Sequence, residues 1–240
     1  MTASYSPLKN KKRRYRIVYN DDGGTLKGVS GVEELLERAV EPLVGTQVDA
    51  LFWCIGCAGG VVHFKSKTHE IYGEHLDRFD KVYEWEFRQG VKRLLEAPED
   101  YLEALARRTH QAGIEFFPSI RMNDVHDGPA PWGGSRAEQG RFKQEHPEFL
   151  LGDAVHPWFR TAHDHAFPEV REYKLSLIEE VAGRYGSMLD GVELDFLRHH
   201  YYFKPEEAYA SRHLITDMVR RVRRVLDEAG EGKEAPLFLA

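Results

Sequence analysis

Five short apolar segments, starting near residues 15, 48, 114, 189 and 236 and separated by stretches of helical periodicity, predict a parallel α/β fold. Polar residues gather just after each segment, where (β/α)8 barrels build their sites, and this favours a TIM-barrel-like fold over a doubly wound sheet. No G-x-G-x-x-G or G-x-x-x-x-G-K-[ST] follows any strand, which counts against dinucleotide and P-loop folds. The 240 residues match a whole barrel in size, yet long insertions after the second and third strands take up much of them. The expectation is therefore a basic polar tail over 1–14, then the N-terminal portion of a (β/α)8 barrel over 15–240, with about four βα units and the start of a fifth strand.

The first strand, residues 15–19, runs into the turn cluster Asn20, Asp21, Asp22, Gly23, Gly24. Ser30 reads as a helix cap with Glu33 in capping-box position, and Leu35, Leu36, Ala39, Val40 and Leu43 form the buried stripe. Residues 48–55 (VDALFWCI) are nearly continuous apolar sequence, as a strand covered on both faces requires. A polar excursion over 56–98 contains a helix around 85–95. The helix 101–111 stops at Gly113 in C-cap position, and the third strand, 114–122, begins at once. A long loop rich in Gly, Pro, His and Trp reaches residue 167, a length that points to function when aromatics hold it in place. The amphipathic helix 169–185, the strand 189–197, the helix 206–229 and the apolar PLFLA at 236–240 complete the pattern.

With 33 Lys+Arg against 39 Asp+Glu, the net charge of −6 gives no sign of a uniformly basic nucleic-acid surface. The basic runs 9–16 and 220–224 are local, the second fitting a solvated helix face. No apolar stretch approaches the roughly 18 residues that span a bilayer, and the N-terminus lacks the apolar core of a secretory signal. A soluble chain is expected, in the cytoplasm or exported with its signal removed. Cys54 and Cys57 straddle the end of an apolar run and a Gly-rich turn, which suits buried, inert thiols better than zinc or redox chemistry.

In the fourth strand, alternation sends Val192, Leu194 and Phe196 to one face and Glu193 and Asp195 to the other. The apolar face fits the helical layer, so the carboxylates point into the barrel near its C-terminal mouth. The third strand has matching parity, with Ser119, Arg121 and Asn123 inward. Arg121 is expected beside Glu193 and Asp195, where its charge would keep the carboxylates ionised. The alternative is a structural salt-bridge layer.

The segment MLDGVELDFLRHH, residues 188–200, resembles the fourth-strand motif of glycoside-hydrolase barrels: an Asp-Gly turn, a strand, and an Asp at its mouth. Together with RIVYNDDGG, DALFWCIGCAGG and FFPSIRMNDVHD, it is most similar to the uncharacterised bacterial family of glycosyl hydrolase-like 10 type, related to carbohydrate-active (β/α)8 enzymes. The likeness covers most of residues 15–240, and the fourth-strand segment is its sharp motif. Chitinase-like enzymes place a catalytic Glu two residues after the last Asp. That position is Leu197 here, so their mechanism does not carry over. The alpha-amylase family has a nucleophilic Asp matching Asp195, followed by a basic residue and His like Arg198 and His199, but an Arg where this chain has Glu193.

The resemblance implies glycoside hydrolysis of an oligo- or polysaccharide, with Asp195 as leading catalytic residue and Glu193 and Arg121 as electrostatic partners. Such enzymes normally need two carboxyl groups flanking the bond, and a pair on one strand is a poor substitute. Asn20, Asp21, Asp22, Asn123, Asp124, His126, Asp127, Arg198 and His199 suit hydrogen bonding to sugar hydroxyls, and Trp53, Trp132 and Trp158 suit stacking. The His and Asp residues at 124–126, 163–165 and 199–200 are of metal-ligand type, but neither H-E-x-x-H nor a first-strand His-x-His is present. No metal and no cofactor are therefore expected. A non-catalytic carbohydrate-binding or scaffold barrel and a metal-dependent hydrolase are the competing readings. The expected partner is a carbohydrate, without nucleic acid or membrane, and the rest of a barrel or a dimer mate would cover the open sheet edge.

Overall fold

The computed structural model describes residues 15–57, 60–129, 134–233 and 236–240. The basic tail 1–14 and Trp132 lie outside the described residues. The described strands are β1 (Val18–Asp21), β2 (Ala50–Cys57), β3 (Val61–Val62), β4 (Glu70–Ile71), β5 (Glu115–Arg121), β6 (Gly191–Asp195) and β7 (Phe238–Leu239). The helices are α1 (Val32–Ala39), α2 (Val82–Glu96), α3 (Tyr101–Gln111), α4 (Arg141–Glu145), α5 (Pro168–Tyr185) and α6 (Ala208–Ala229).

Strands β1, β2, β5, β6 and β7 lie side by side in that order, each pair parallel. A doubly wound sheet reverses its order at a switch point; this sheet does not. Leu35 of α1, Leu105 of α3, Ile178 of α5 and Val222 of α6 share one apolar core with Leu51, Trp53, Phe116, Ile120, Val192 and Leu194 of the strands. These helices therefore cover a single face of the sheet, the barrel arrangement. Each large side chain buried there contributes roughly 1.5–3 kcal/mol.

The opposite face is strongly concave. On a flat sheet β1 and β6 would stand about 14 Å apart at roughly 4.8 Å per strand, yet Asn20 Nδ2 donates to Glu193 Oε2 at 3.2 Å. Tyr15, just before β1, and Phe238 of β7 have ring centroids 6.3 Å apart, although four strand spacings separate their strands. Tyr15, Phe52 and Phe117 fill the floor of this concavity. Gly191 permits the packing, since a Cβ there would meet the Phe238 carbonyl oxygen at 2.2 Å and Phe117 Cε1 at 2.6 Å. Among the described residues β1 and β7 do not pair with each other.

The local readings hold with small shifts. Helix α3 spans its expected residues, Asp100 Oδ1 caps it by accepting from Leu102 N–H, and Gly113 follows it at φ 74°. At α1 the capping partner is Glu34 rather than Glu33: both the N–H and the hydroxyl of Ser30 donate to Glu34 Oε2. The helix begins one position later than the sequence implies, with Gly31 at its N-cap, and this moves the reaching carboxylate by one residue.

Both insertions fold back over the strand mouths. In the first, β3 pairs antiparallel with β2 at Gly56 and Val62, and β4 extends it. In the second, Phe142 of α4 stacks on Tyr173 of α5 at 4.0 Å between centroids, which ties the long loop to the helical layer.

Candidate functional site

The parity of β5 and β6 builds the first group of polar side chains. Ser119 is in register with Glu193, and Arg121 with Asp195, so all four project from the concave face. Glu193 and Asp195 are both half-buried. Desolvation raises the Glu193 pKa; the Ser119 hydroxyl and Asn20 amide beside it pull the other way, and the charge of Asp195 adds to the rise. Asp195 Oδ1 accepts the backbone N–H groups of Leu197 and Arg198, each at 3.0 Å, which fixes the carboxylate at the strand end. Among the described residues its other oxygen makes no such turn contact.

Arg121 does not join these carboxylates. It pairs instead with Asp22 of the first loop and, at 3.1 Å through Nη1, with Asp124 Oδ2. The loops after β1 and β5 deliver Asp22 and Asp124 to the guanidinium, which also donates to the Asp22 carbonyl oxygen at 3.3 Å. Arg198 stands 3.4 Å from Asp22 Oδ2 and 3.4 Å from His126 Nε2. Asp124 Oδ1 accepts the His126 backbone N–H at 2.8 Å and lies 2.6 Å from His126 Nδ1. Although burial alone would raise it, the Asp124 pKa is held well below the usual carboxylate range by this bond and by the His126 and Arg121 charges. The same bond raises His126. Desolvation takes the neighbouring His199 down to about 4, so its ring is neutral at ordinary pH.

These residues border a cleft of about 280 Å³ whose walls include Asp22, Arg121, His126, Arg198, His63 and Glu138. The Glu138 pKa is pushed up to about 7, first by desolvation and then by the Asp124 charge. A carboxyl group that titrates near neutrality in a cleft is suited to proton transfer. Glu138, His63 and the buried Lys143 carry no signal in the sequence, because they sit in irregular loop or one-turn helix with no period to mark them.

Several expected substrate contacts are engaged elsewhere. Trp53 is fully buried in the helix-side core, since β2 alternation turns it away from the concave face. Asp21 accepts Gly23 N–H at 2.8 Å and the Thr25 hydroxyl at 2.6 Å, which makes it the turn residue of the first loop. Asn123 is buried and bridges two loops through its bonds to His163 and Tyr201. Asp127 forms a buried ion pair with Lys143 at 2.9 Å. Trp158 packs on the cluster of Val125, Leu151 and Ala162. Both cysteines are buried, and desolvation pushes their thiols up to about 11 for Cys54 and about 12 for Cys57, which removes thiolate chemistry. Of the His and Asp residues of ligand type, Asp124, His126 and His199 are brought together, each able to offer one atom with all three within 4.8 Å of one another. His163 and His165 are fully buried away from that group.

Fold and site together define a parallel α/β chain of barrel type with acidic, basic and imidazole groups at its C-terminal strand mouths. No family model matches the chain, and no curated protein matches it. Among solved structures it is similar to a candidate alpha-amylase from Salmonella typhimurium, at 15% identity and a TM-score of 0.51, covering 99% of this chain and 34% of that one. A hypothetical protein from Ruminiclostridium thermocellum aligns at 13% identity and a TM-score of 0.49, covering 93% of this chain and 95% of that one. The alpha-galactosidase TtGalA from Thermus thermophilus aligns at 15% and 0.45, over 96% and 38%. The chain thus spans about a third of the Salmonella protein, and what it shares with it is the fold. No helix among the described residues is long and apolar enough to cross a membrane.

Proposed function

We propose that the protein hydrolyses glycosidic bonds in an oligo- or polysaccharide through carboxyl groups at the mouths of β1, β5 and β6, with Asp195 as the leading catalytic residue. The observation that carries this reading is the division of the two β6 carboxyl groups between different surroundings. Asp195 is oriented by two backbone N–H groups, whereas Glu193 is desolvated and its proton affinity is raised. Separation of carboxyl environments divides proton affinities as acid and base chemistry requires, but two residues of one strand do not flank the bond, so a second essential carboxyl group comes from elsewhere. Glu138 is the best candidate for a further carboxyl group from outside the strand, since it lines the cleft and titrates near pH 7. The fold shared with the Salmonella protein supports the reading. So does the likeness of four segments to the glycosyl hydrolase-like 10 type.

Wild type and Asp195→Asn are compared on a panel of oligo- and polysaccharides by release of reducing ends. Loss of a catalytic carboxylate lowers the rate on the cleaved glycan by about 10²- to 10⁴-fold, with the thermal midpoint retained. Equal cleavage by both proteins sinks the proposal. Calorimetric binding of a glycan with no turnover by wild type replaces it with a carbohydrate-binding barrel.

A further inference from the structure

We infer that Asp124, His126 and His199 form a binding site for one divalent transition-metal ion of the zinc type. The inference goes beyond the glycosidase reading and stands independently of it, since it rests on a donor set and not on the β6 carboxylates. Asp124 and His126 follow β5, His199 follows β6, and the parallel pairing of those strands brings their loops together. Two imidazoles and one carboxylate are a donor set for zinc and its first-row neighbours. One atom from each residue lies within 4.8 Å of the others. A four-coordinate ion with bonds near 2.0–2.1 Å spaces its ligands by roughly 3.3 Å, so a small adjustment suffices.

The second observation is an orphan atom. His199 is 7% exposed, and its Nδ1 is buried without a hydrogen-bond partner in the structure. A buried polar atom left unpaired is costly and calls for an explanation. Its ring faces that of His126 at 5.2 Å between centroids and 77°. The surroundings resemble the outer shell of a metal centre: a ligating carboxylate keeps a hydrogen-bonded partner, and Arg121 supplies one to Asp124 Oδ2. Two guanidinium groups stand close by: Asp22 pairs with both Arg121 and Arg198, and Asp124 is shared between Arg121 and the ion. His126 also lines the cleft, so an ion held here has access to solvent. A cation bound between His126 Nδ1 and Asp124 Oδ1, now 2.6 Å apart, requires this pair to open by roughly 0.7 Å while His199 closes, and displaces the hydrogen between them to solvent.

Untagged full chain, stripped with a chelator, is titrated with Zn²⁺ by calorimetry and with Co²⁺ by visible absorbance. One ion per chain is expected, with a d–d band for Co²⁺. His126→Ala and His199→Ala should each weaken uptake at least about tenfold, while replacing the exposed His213 of α6 with Ala leaves it unchanged. Circular dichroism and unfolding midpoints check that the variants fold, and His199→Gln serves if His199→Ala does not. Absence of stoichiometric uptake overturns the site. So does uptake that survives the His199 substitution, or that is lost on Cys54→Ser or Cys57→Ser instead.

Discussion

Two polar regions share the mouth of the sheet, and they are built on opposite terms. The strand patch of Asn20, Ser119, Glu193 and Asp195 lies on the concave face, with Ser119 buried, both carboxylates half-buried and Asn20 exposed, held by single hydrogen bonds and backbone contacts. The loop cluster of Asp22, Arg121, Asp124, His126 and Arg198 is knitted by ion pairs, with Asp124 and Arg121 buried. Among the described residues neither Glu193 nor Asp195 has an ion-pair partner, although Arg121 is in register beside Asp195. The difference teaches that nearness along a strand does not decide charge pairing. A guanidinium takes the acids whose loops deliver them to its plane, and carboxylates left over keep their capacity for a ligand.

Breaking the cluster should cost far more stability than altering the patch. Among the described residues Arg121→Met leaves the buried Asp124 with His126 as its one remaining side-chain ion-pair partner, and a fall of about 3 kcal/mol in unfolding free energy is expected from urea titration. A fall no larger than that of an exposed-residue control would show that the ion pairs do not hold the loops.

Glu138 gives the next largest effect, and its sign is fixed by linkage. Its folded-state pKa of about 7 lies above the ordinary value of 4.5, so the folded protein binds this proton more tightly than the unfolded chain. Its ionisation therefore removes stability as pH rises from about 4.5 to 7. Glu138→Gln should flatten the stability profile across that window and gain roughly 1–3 kcal/mol over wild type by pH 8. Parallel profiles for the two proteins between pH 5 and 8 would exclude a raised pKa at this position.

The smallest effect is expected in the strand patch. Asn20→Ala removes one exposed hydrogen bond and should lower stability by under about 1 kcal/mol. It should also raise the Glu193 pKa further, because a donor to the ionised form is lost. Carboxyl-labelled NMR titration reads this, and an unchanged or lower Glu193 value would show that the contact across the concave face does not persist in solution.

Much of the fold was legible because period survives translation into structure. The inward parity of Ser119, Arg121, Glu193 and Asp195 follows from the two-residue repeat of a strand, and helix α3 from apolar spacing between Asp100 and Gly113. Trp53 obeys the same rule: the parity that turns Glu193 inward turns Trp53 outward, into the helical layer. Asp21, Asn123 and Asp127 hold turn, loop and ion-pair contacts that the sequence did not signal. Their residue types suit a sugar and a loop framework equally well, and only the positions of Thr25, His163, Tyr201 and Lys143 reveal the framework contacts.

The sequence by itself determined a parallel alternation of strands and helices and the side of the sheet on which each strand residue falls, since both depend on short-range repeats. Only the tertiary structure decided that β1 and β6 meet across a curled sheet, that Arg121 belongs to Asp22 and Asp124, and that Glu138 enters the cleft. Those outcomes depend on loop paths and on competition among charges far apart in the chain. No local pattern encodes which acid arrives first within reach of a buried cation.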